Sequence, residues 1–283
     1  MQWFANWRKQ KPGLAAPDKL DQVLAAVGTD PGCCREENQD SAAFFDSHGN
    51  RGSLVLVADG MGGHRAGRVA SQIAVEVIGR RYSASRRPAP EALREAIEAA
   101  NREIFQRSQT DSATEGMGCT VVAMAIEESA AHVAHVGDSR LYLVRAGAIF
   151  QMTEDHSVIT ELLRSGSISR EDARRHSQRN VISRALGSKA AVEIDLAAAF
   201  PLRRGDRFLL CTDGLTDLVD RSELLQVIGK FQPAEAVERL IELAKIRGGH
   251  DNITAIVAWV GDQGPSGVPP TREASISMEG VSR

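Results

Sequence analysis

An α+β domain with largely antiparallel sheets is the fold class predicted by this 283-residue sequence. Three observations predict it. Six short runs rich in β-branched residues lie at 53–59, 120–126, 131–136, 141–145, 207–212 and 253–260. Several are joined by tight turns containing Gly or Asp, as antiparallel neighbours are. Helical periodicity is grouped: two helices in succession follow the first strand and one more precedes the last, unlike the strict alternation of a doubly wound parallel fold.

The elements read in chain order as follows. Residues 1–20 form an N-terminal extension that mixes Trp3, Phe4 and Trp7 with Arg8, Lys9 and Lys11 ahead of Pro12 and Gly13. Trp3 and Trp7 are four apart. Either they line a short amphipathic turn that docks on a partner or a membrane surface, or they pack back on the domain. The domain itself is assigned to 21–261. After its first strand, Val69, Ile73, Val77 and Ile78 repeat at helical spacing. A second helix carries Leu93, Ala96, Ile97, Ala100 and Ile104 and is opened by Pro88 and Pro90, whose fixed φ suits a first turn. Residues 144–148 (Val-Arg-Ala-Gly-Ala) read as a hairpin corner. A later helix carries Ala236, Val237, Leu240, Ile241 and Ala244. Residues 262–283, with Gly264-Pro265 and Pro269-Pro270 among Ser and Thr, cannot bury a core and are assigned as a flexible tail.

Composition excludes several function classes. A hydrophobic share of 42% with 25% charged residues is ordinary for a globular protein. The net charge of −3 supplies none of the basic surplus of a nucleic-acid binder. The longest apolar runs, 54–58 and 121–126, are far shorter than the ~18–20 residues of a membrane span. No apolar stretch follows the first basic residues, so no secretory signal is expected. Cys119 and Cys211 sit inside apolar runs and read as buried hydrophobes, while a bond between the adjacent Cys33 and Cys34 would be strained. With no C-x-x-C pair, zinc is not expected, and the predicted compartment is a reducing cytoplasm.

The chemistry lies in where aspartates fall relative to strands. Asp59 ends an apolar run and precedes Gly60-Met-Gly-Gly-His64. Asp138 follows Val136-Gly137, and Asp213 follows Cys211-Thr212, with Asp217 four residues later. Asp251 sits directly before the last strand, and Asp40 closes a polar stretch after Arg35. One Asp-Gly is only a turn signal. Five carboxylates at strand ends are a joint signal, because converging carboxylates repel unless a cation lies among them. Hard divalent ions such as Mg²⁺ or Mn²⁺ take oxygen ligands of this kind.

These segments resemble the metal-dependent serine/threonine protein phosphatases of the PPM family, the PP2C type, in its bacterial form. The matching stretches are Arg35-Glu-Glu-Asn-Gln-Asp40, Val57-Ala-Asp-Gly-Met-Gly-Gly-His64, Gly118-Cys-Thr120, His135-Val-Gly-Asp-Ser-Arg-Leu-Tyr142, Thr153-Glu-Asp-His156, Arg179-Asn-Val-Ile-Ser-Arg-Ala-Leu-Gly187, Thr212-Asp-Gly-Leu-Thr-Asp217 and Gly249-His-Asp-Asn252. The resemblance implies a four-layer αββα sandwich of two antiparallel sheets flanked by helix pairs. It implies hydrolysis of phosphoserine and phosphothreonine in proteins, with two Mn²⁺ or Mg²⁺ ions and a third, weaker one. Asp59 would bridge two ions, helped by the Gly60 carbonyl, with Asp213 and Asp251 completing the pair. Asp138 and Asp217 match the third site. Arg35 matches the phosphate-binding arginine and Asp40 the carboxylate that supports the attacking water.

Residues 156–180 would be a flap over the cleft, in which His156 and His176 read as structure or caps. His64 is assigned as general acid, with an exposed loop histidine as the alternative, since eukaryotic relatives carry a histidine directly after Asp-Gly. Gln39 stands where many relatives have Glu, which leaves a water-mediated role there. The implied partners are phosphorylated proteins and a cognate serine/threonine kinase, without nucleic acid or a transmembrane segment. The rival readings are a non-catalytic phosphoprotein-binding or regulatory module of the same fold, and a two-metal nuclease.

Overall fold

The computed structural model describes residues 23–46, 52–63, 66–127, 129–173 and 175–261. The extension 1–20, the tail 262–283 and His64 lie outside the described residues.

Two antiparallel sheets form the centre. The first has the order β1-β12-β11-β7-β8, from Val23–Asp30 (β1), Arg140–Arg145 (β7), Ala148–Gln151 (β8), Arg207–Cys211 (β11) and Ile253–Val260 (β12). The second follows β10-β6-β5-β3-β2, from Asp40–Phe45 (β2), Ser53–Met61 (β3), Val121–Glu127 (β5), Ala130–Val136 (β6) and Phe200–Pro201 (β10). Gly118–Cys119 (β4) pairs with β3, and Asp195–Leu196 (β9) pairs with β6. All six runs predicted from β-branched content are strands. The hairpin corner is there too, with Ala146 and Gly147 at φ of 51° and 75° between β7 and β8.

Alternation along each strand sends side chains to two different cores. Val55 and Val57 of β3 meet Leu141, Leu143, Phe208, Leu210, Ile256 and Ala258 between the sheets. Their neighbours Leu54, Leu56 and Ala58 face helices α1 (Ala66–Ala84) and α2 (Ala89–Thr110), contributing to a core with Ile73, Ile78, Leu93 and Ile97. On the far side, Ile253, Ala255, Val257 and Trp259 of β12 pack with Leu224 and Ile228 of Arg221–Lys230 and with Val237 and Leu240 of Pro233–Ile246. The layers are therefore helix, sheet, sheet, helix. Strands covered on both faces must be apolar at every position, which is why these antiparallel strands read as continuous hydrophobic runs.

The remaining helices are short. Val158–Arg164 (α3) and Arg170–Ala173 (α4) lie in the 156–180 stretch, and Asp213–Thr216 (α5) follows β11 directly. Arg221–Lys230 and Pro233–Ile246 are α6 and α7. Among the described residues, no helix is long and apolar enough to cross a membrane.

Candidate active site

Strand ends from both sheets meet at one edge of the sandwich. Asp40 opens β2 and is the ladder partner of Asp59, which lies two residues inside the end of β3. Asp138 sits in the turn from β6 to β7, Asp213 begins α5 just beyond β11, and Asp251 precedes β12. One helical turn after Asp213, Asp217 closes α5 and its N–H donates to the Asp213 carbonyl at 2.8 Å.

The backbone around these carboxylates is fixed by small polar side chains. The Asp59 N–H donates to Thr120 Oγ1 (3.0 Å), and the Thr120 N–H donates to the Asp59 carbonyl (2.8 Å). Thr120 Oγ1 also bonds Ser139 Oγ at 2.7 Å, which ties Asp59 to the turn that carries Asp138. Thr212 and Thr254 donate their hydroxyls to Asp40 Oδ2 at 2.9 and 2.7 Å. Asn252 joins three segments: its Oδ1 accepts from the Gln39 N–H, and its Nδ2 donates to the carbonyls of Pro31 and Glu37. Gly60 has no room for a side chain, because a Cβ would lie 2.1 Å from the Gly67 carbonyl oxygen and 2.5 Å from that of Gln39.

Charge is the unusual feature. Burial pushes the Asp40 carboxyl up to about 7, against the two threonine hydrogen bonds and with the help of Asp213 and Asp251. Burial, with Asp40, Asp213, Asp138 and Asp251 as neighbours, holds Asp59 well above the ordinary carboxylate range. Asp138 is raised to about 7 by burial and by Asp213, and Asp213 to about 6 by burial, Asp217 and Asp251. Asp59, Asp138 and Asp213 keep one side toward solvent but are otherwise hemmed in by protein, as groups in a cleft are.

Among the described residues, little positive charge answers them. Arg140 stands near Asp138 and Asp213, but its guanidinium is already bidentate on Asp155, at 3.0 Å from Nε and 2.6 Å from Nη2. Arg35 pairs with Asp251, a partly exposed carboxylate, at 2.9 Å. His250 Nε2 is 4.0 Å from Asp217 Oδ2, so it faces that residue. His156 accepts the Gly137 N–H on Nδ1 at 3.1 Å, joining the base of the 156–180 stretch to the Asp138 turn.

The residues present suit hard divalent cations. The buried Asp40 Oδ1 has no hydrogen-bond partner, the side-chain donors at this edge are oxygens, and the carboxylates are near enough for their charges to raise one another. The six aspartates and Arg35 singled out from sequence are thus together, with the Gly60 backbone beside them. Sequence reading gave no role to the supporting Thr120, Ser139, Asn252, Thr254 and the Arg140–Asp155 pair, although all but Thr254 stand in the matching stretches. One signal was available: Thr254 is the lone polar residue in the otherwise apolar run 253–260.

Residues 35–246 match the family model described as Protein phosphatase 2C. The chain is 40% identical over 239 residues to a serine/threonine phosphatase, stp, of Listeria monocytogenes, covering 82% of this chain and 94% of that one. It superposes on the serine/threonine phosphatase PstP/Ppp of Mycobacterium tuberculosis with a TM-score of 0.77 and 37% identity, over 85% of this chain and 99% of that chain. A PstP catalytic domain in complex with two manganese ions gives a TM-score of 0.74 and 36% identity, over 85% and 99% of the chains. These relatives are catalysts, which favours the enzyme over a non-catalytic module of the same fold. The chain belongs to the protein phosphatase 2C family and is a serine/threonine protein phosphatase.

Proposed function

We propose that the aspartate cluster holds two Mn²⁺ or Mg²⁺ ions and a third, weaker one, and that this chain uses them to hydrolyse phosphoserine and phosphothreonine in proteins. Asp59, with the Gly60 carbonyl, Asp213 and Asp251 are the ligands of the pair, and Asp138 and Asp217 serve the third ion. The observation that carries the reading is the excess of desolvated carboxylates over cationic side chains at one edge of the sandwich. When bound, such ions lower the pKa of water and neutralise charge on phosphoryl oxygens.

The chain's own groups do the rest. Arg35, on an exposed turn at the rim, holds the phosphate dianion through paired charged hydrogen bonds that lysine could not reproduce. Its present partner Asp251 holds the guanidinium at the carboxylate cluster. Asp40, fixed on one oxygen by two hydroxyls, presents its other oxygen, Oδ1, to accept a proton or orient the attacking water. Thr120 and Ser139 hold Asp59 and the Asp138 turn at constant separation, so the carboxylates need not reorganise during turnover. The protein partner is a phosphorylated protein, and a cognate serine/threonine kinase with its targets is the natural counterpart. His64 is retained as general acid on sequence grounds.

The test is phosphate release from a phosphothreonine peptide by metal-stripped enzyme, with a nucleic-acid substrate assayed beside it. Release should require Mn²⁺ or Mg²⁺, stop with chelator and resume on adding the ion, with the nucleic acid left intact. Release that persists in chelator would overturn the metal assignment.

A further inference from the structure

We infer that Cys33 and Cys34 form a thiol-modification site, taken by low-molecular-weight disulfides, that controls the contact between Arg35 and Asp251. Both thiols are exposed and lie in the turn between β1 and Arg35. Neighbouring side chains on an extended strand point apart, but these face the same way. Cys33 Sγ lies 3.7 Å from the Lys245 carbonyl oxygen and Cys34 Sγ 3.9 Å from that of Gly248. Both sulfurs therefore sit against the segment that leads from the end of α7 to Asp251.

That junction is tight. The Cys33 N–H donates to the Gly249 carbonyl at 2.6 Å, and a Cβ on Gly249 would meet Cys33 Sγ at 3.0 Å. Lys245, whose carbonyl faces Cys33 Sγ, pairs through its ammonium with Asp30 at 2.7 Å. The other two cysteines offer no competition. Cys119 and Cys211 are fully buried, and burial pushes the Cys211 thiol up to about 12 and that of Cys119 higher still. Thiol chemistry is thereby confined to one place on the described molecule.

The step is a thiol–disulfide exchange. The thiolate of Cys33 or Cys34 attacks one sulfur of a small disulfide, the S–S bond breaks, a protein mixed disulfide forms and one small thiolate leaves. The cysteine sulfur is oxidised, the leaving thiol is reduced, and excess small thiol runs the reaction backward. No bond between Cys33 and Cys34 is required. A group added to a sulfur that keeps its place against these carbonyls would crowd them, and we take residues 31–35 to shift away from 245–251 to make room. Arg35 then loses Asp251 and its aim at the phosphate. This consequence rests on the reading of Arg35 as the phosphate-binding residue.

The experiment treats the full, reduced, Mn²⁺-loaded chain with glutathione disulfide, maps adducts by mass spectrometry and measures KM and kcat on a phosphothreonine peptide. The expected result is an adduct on Cys33 or Cys34 and none on Cys119 or Cys211, with KM raised roughly tenfold, the scale of one charged hydrogen bond, and restored by dithiothreitol. A Cys33→Ser/Cys34→Ser variant should keep the unmodified KM and ignore glutathione disulfide. Adducts on other cysteines, an adduct without a KM change, or inhibition that persists in the double variant would overturn the inference. If that variant fails to fold, dithiothreitol recovery of mapped wild-type protein decides. Arg35→Ala, assayed alongside, separates the two readings. A normal KM in that variant defeats the phosphate role of Arg35, whereas the mapping and its reversal judge the thiols.

Discussion

At one end of β11, Asp206 is 1% exposed and fully answered: Arg145 donates Nε to Oδ1 at 2.7 Å, and the Arg203 N–H donates to Oδ2 at 2.8 Å. At the other end, seven residues on, Asp213 faces Asp59, Asp217 and Asp251, and Arg140, the guanidinium near it among the described residues, is held by Asp155. Strand β7 carries an arginine at each end, Arg145 committed to Asp206 and Arg140 committed to Asp155. The fold can therefore pair a cation with a buried carboxylate, and among the described residues Asp59, Asp138 and Asp213 have no such ion pair, whereas the more exposed Asp251 has Arg35. A buried charge left without a partner is costly, so the imbalance there marks a place for a charge that the described residues do not supply.

The sharpest way to break this comparison is to neutralise carboxylates at the acidic edge and follow catalysis. Asp59→Asn and Asp213→Asn should each lower kcat/KM on a phosphothreonine peptide by about a thousandfold or more, since metal-assisted charge stabilisation is worth several kcal/mol. Near-normal turnover in either would contradict the account. The same chemical change at the two ends of β11 should then move stability in opposite directions. Asp206→Asn strips Arg145 of its buried partner and should cost about 3–5 kcal/mol in urea unfolding. Asp213→Asn, in chelator, should stabilise the protein by relieving repulsion. Equal losses at both ends would remove the distinction.

Acidity sharpens it further. The metal-free folded chain holds Asp213 protonated up to about 6, whereas the ordinary unfolded value is 3.8. A carboxylate whose pKa is raised by folding favours the folded state at low pH and withdraws that support as pH rises from the unfolded to the folded value. In chelator, the urea midpoint of Asp213→Asn should therefore gain on that of the wild type between about pH 4 and 6, and Mn²⁺ should reverse the order. A constant difference across that window would contradict the charge assignment. The smallest effect belongs to the rim. Arg35→Ala removes a side chain 56% exposed, so it should leave stability unchanged and raise KM roughly tenfold with kcat preserved. A collapsed kcat at unchanged KM would refute its binding role.

Much of this was readable in advance, and the reason is physical. Strands sandwiched between a sheet and helices must be apolar on both faces, so Leu54-Val55-Leu56-Val57 announces itself. Strand β1 does not: Leu24 and Val27 are 37% and 41% exposed, and Gly28 is bare because Val237 and Ile241 of α7 occupy the space a side chain would need. Strand β2 hides behind its opening Asp40 and Ser41. Helix α6 buries only Leu224 and Ile228, although the Asp220–Glu223 capping box at its start was a usable signal. Within the site, aspartates stood out because carboxylates at apolar strand ends demand a reason. The hydroxyls of Thr120, Thr212 and Thr254 did not, since threonine is at home in strands for its shape alone. The Arg140–Asp155 pair needed the β7–β8 hairpin to bring residues fifteen apart into contact.

The most direct trial is a calorimetric titration of the metal-stripped protein with Mn²⁺, repeated on Asp59→Asn. The account predicts two ions bound per chain, with a rise in the unfolding midpoint, and loss of both effects in the variant. Absence of binding, or binding that the variant leaves untouched, would contradict it.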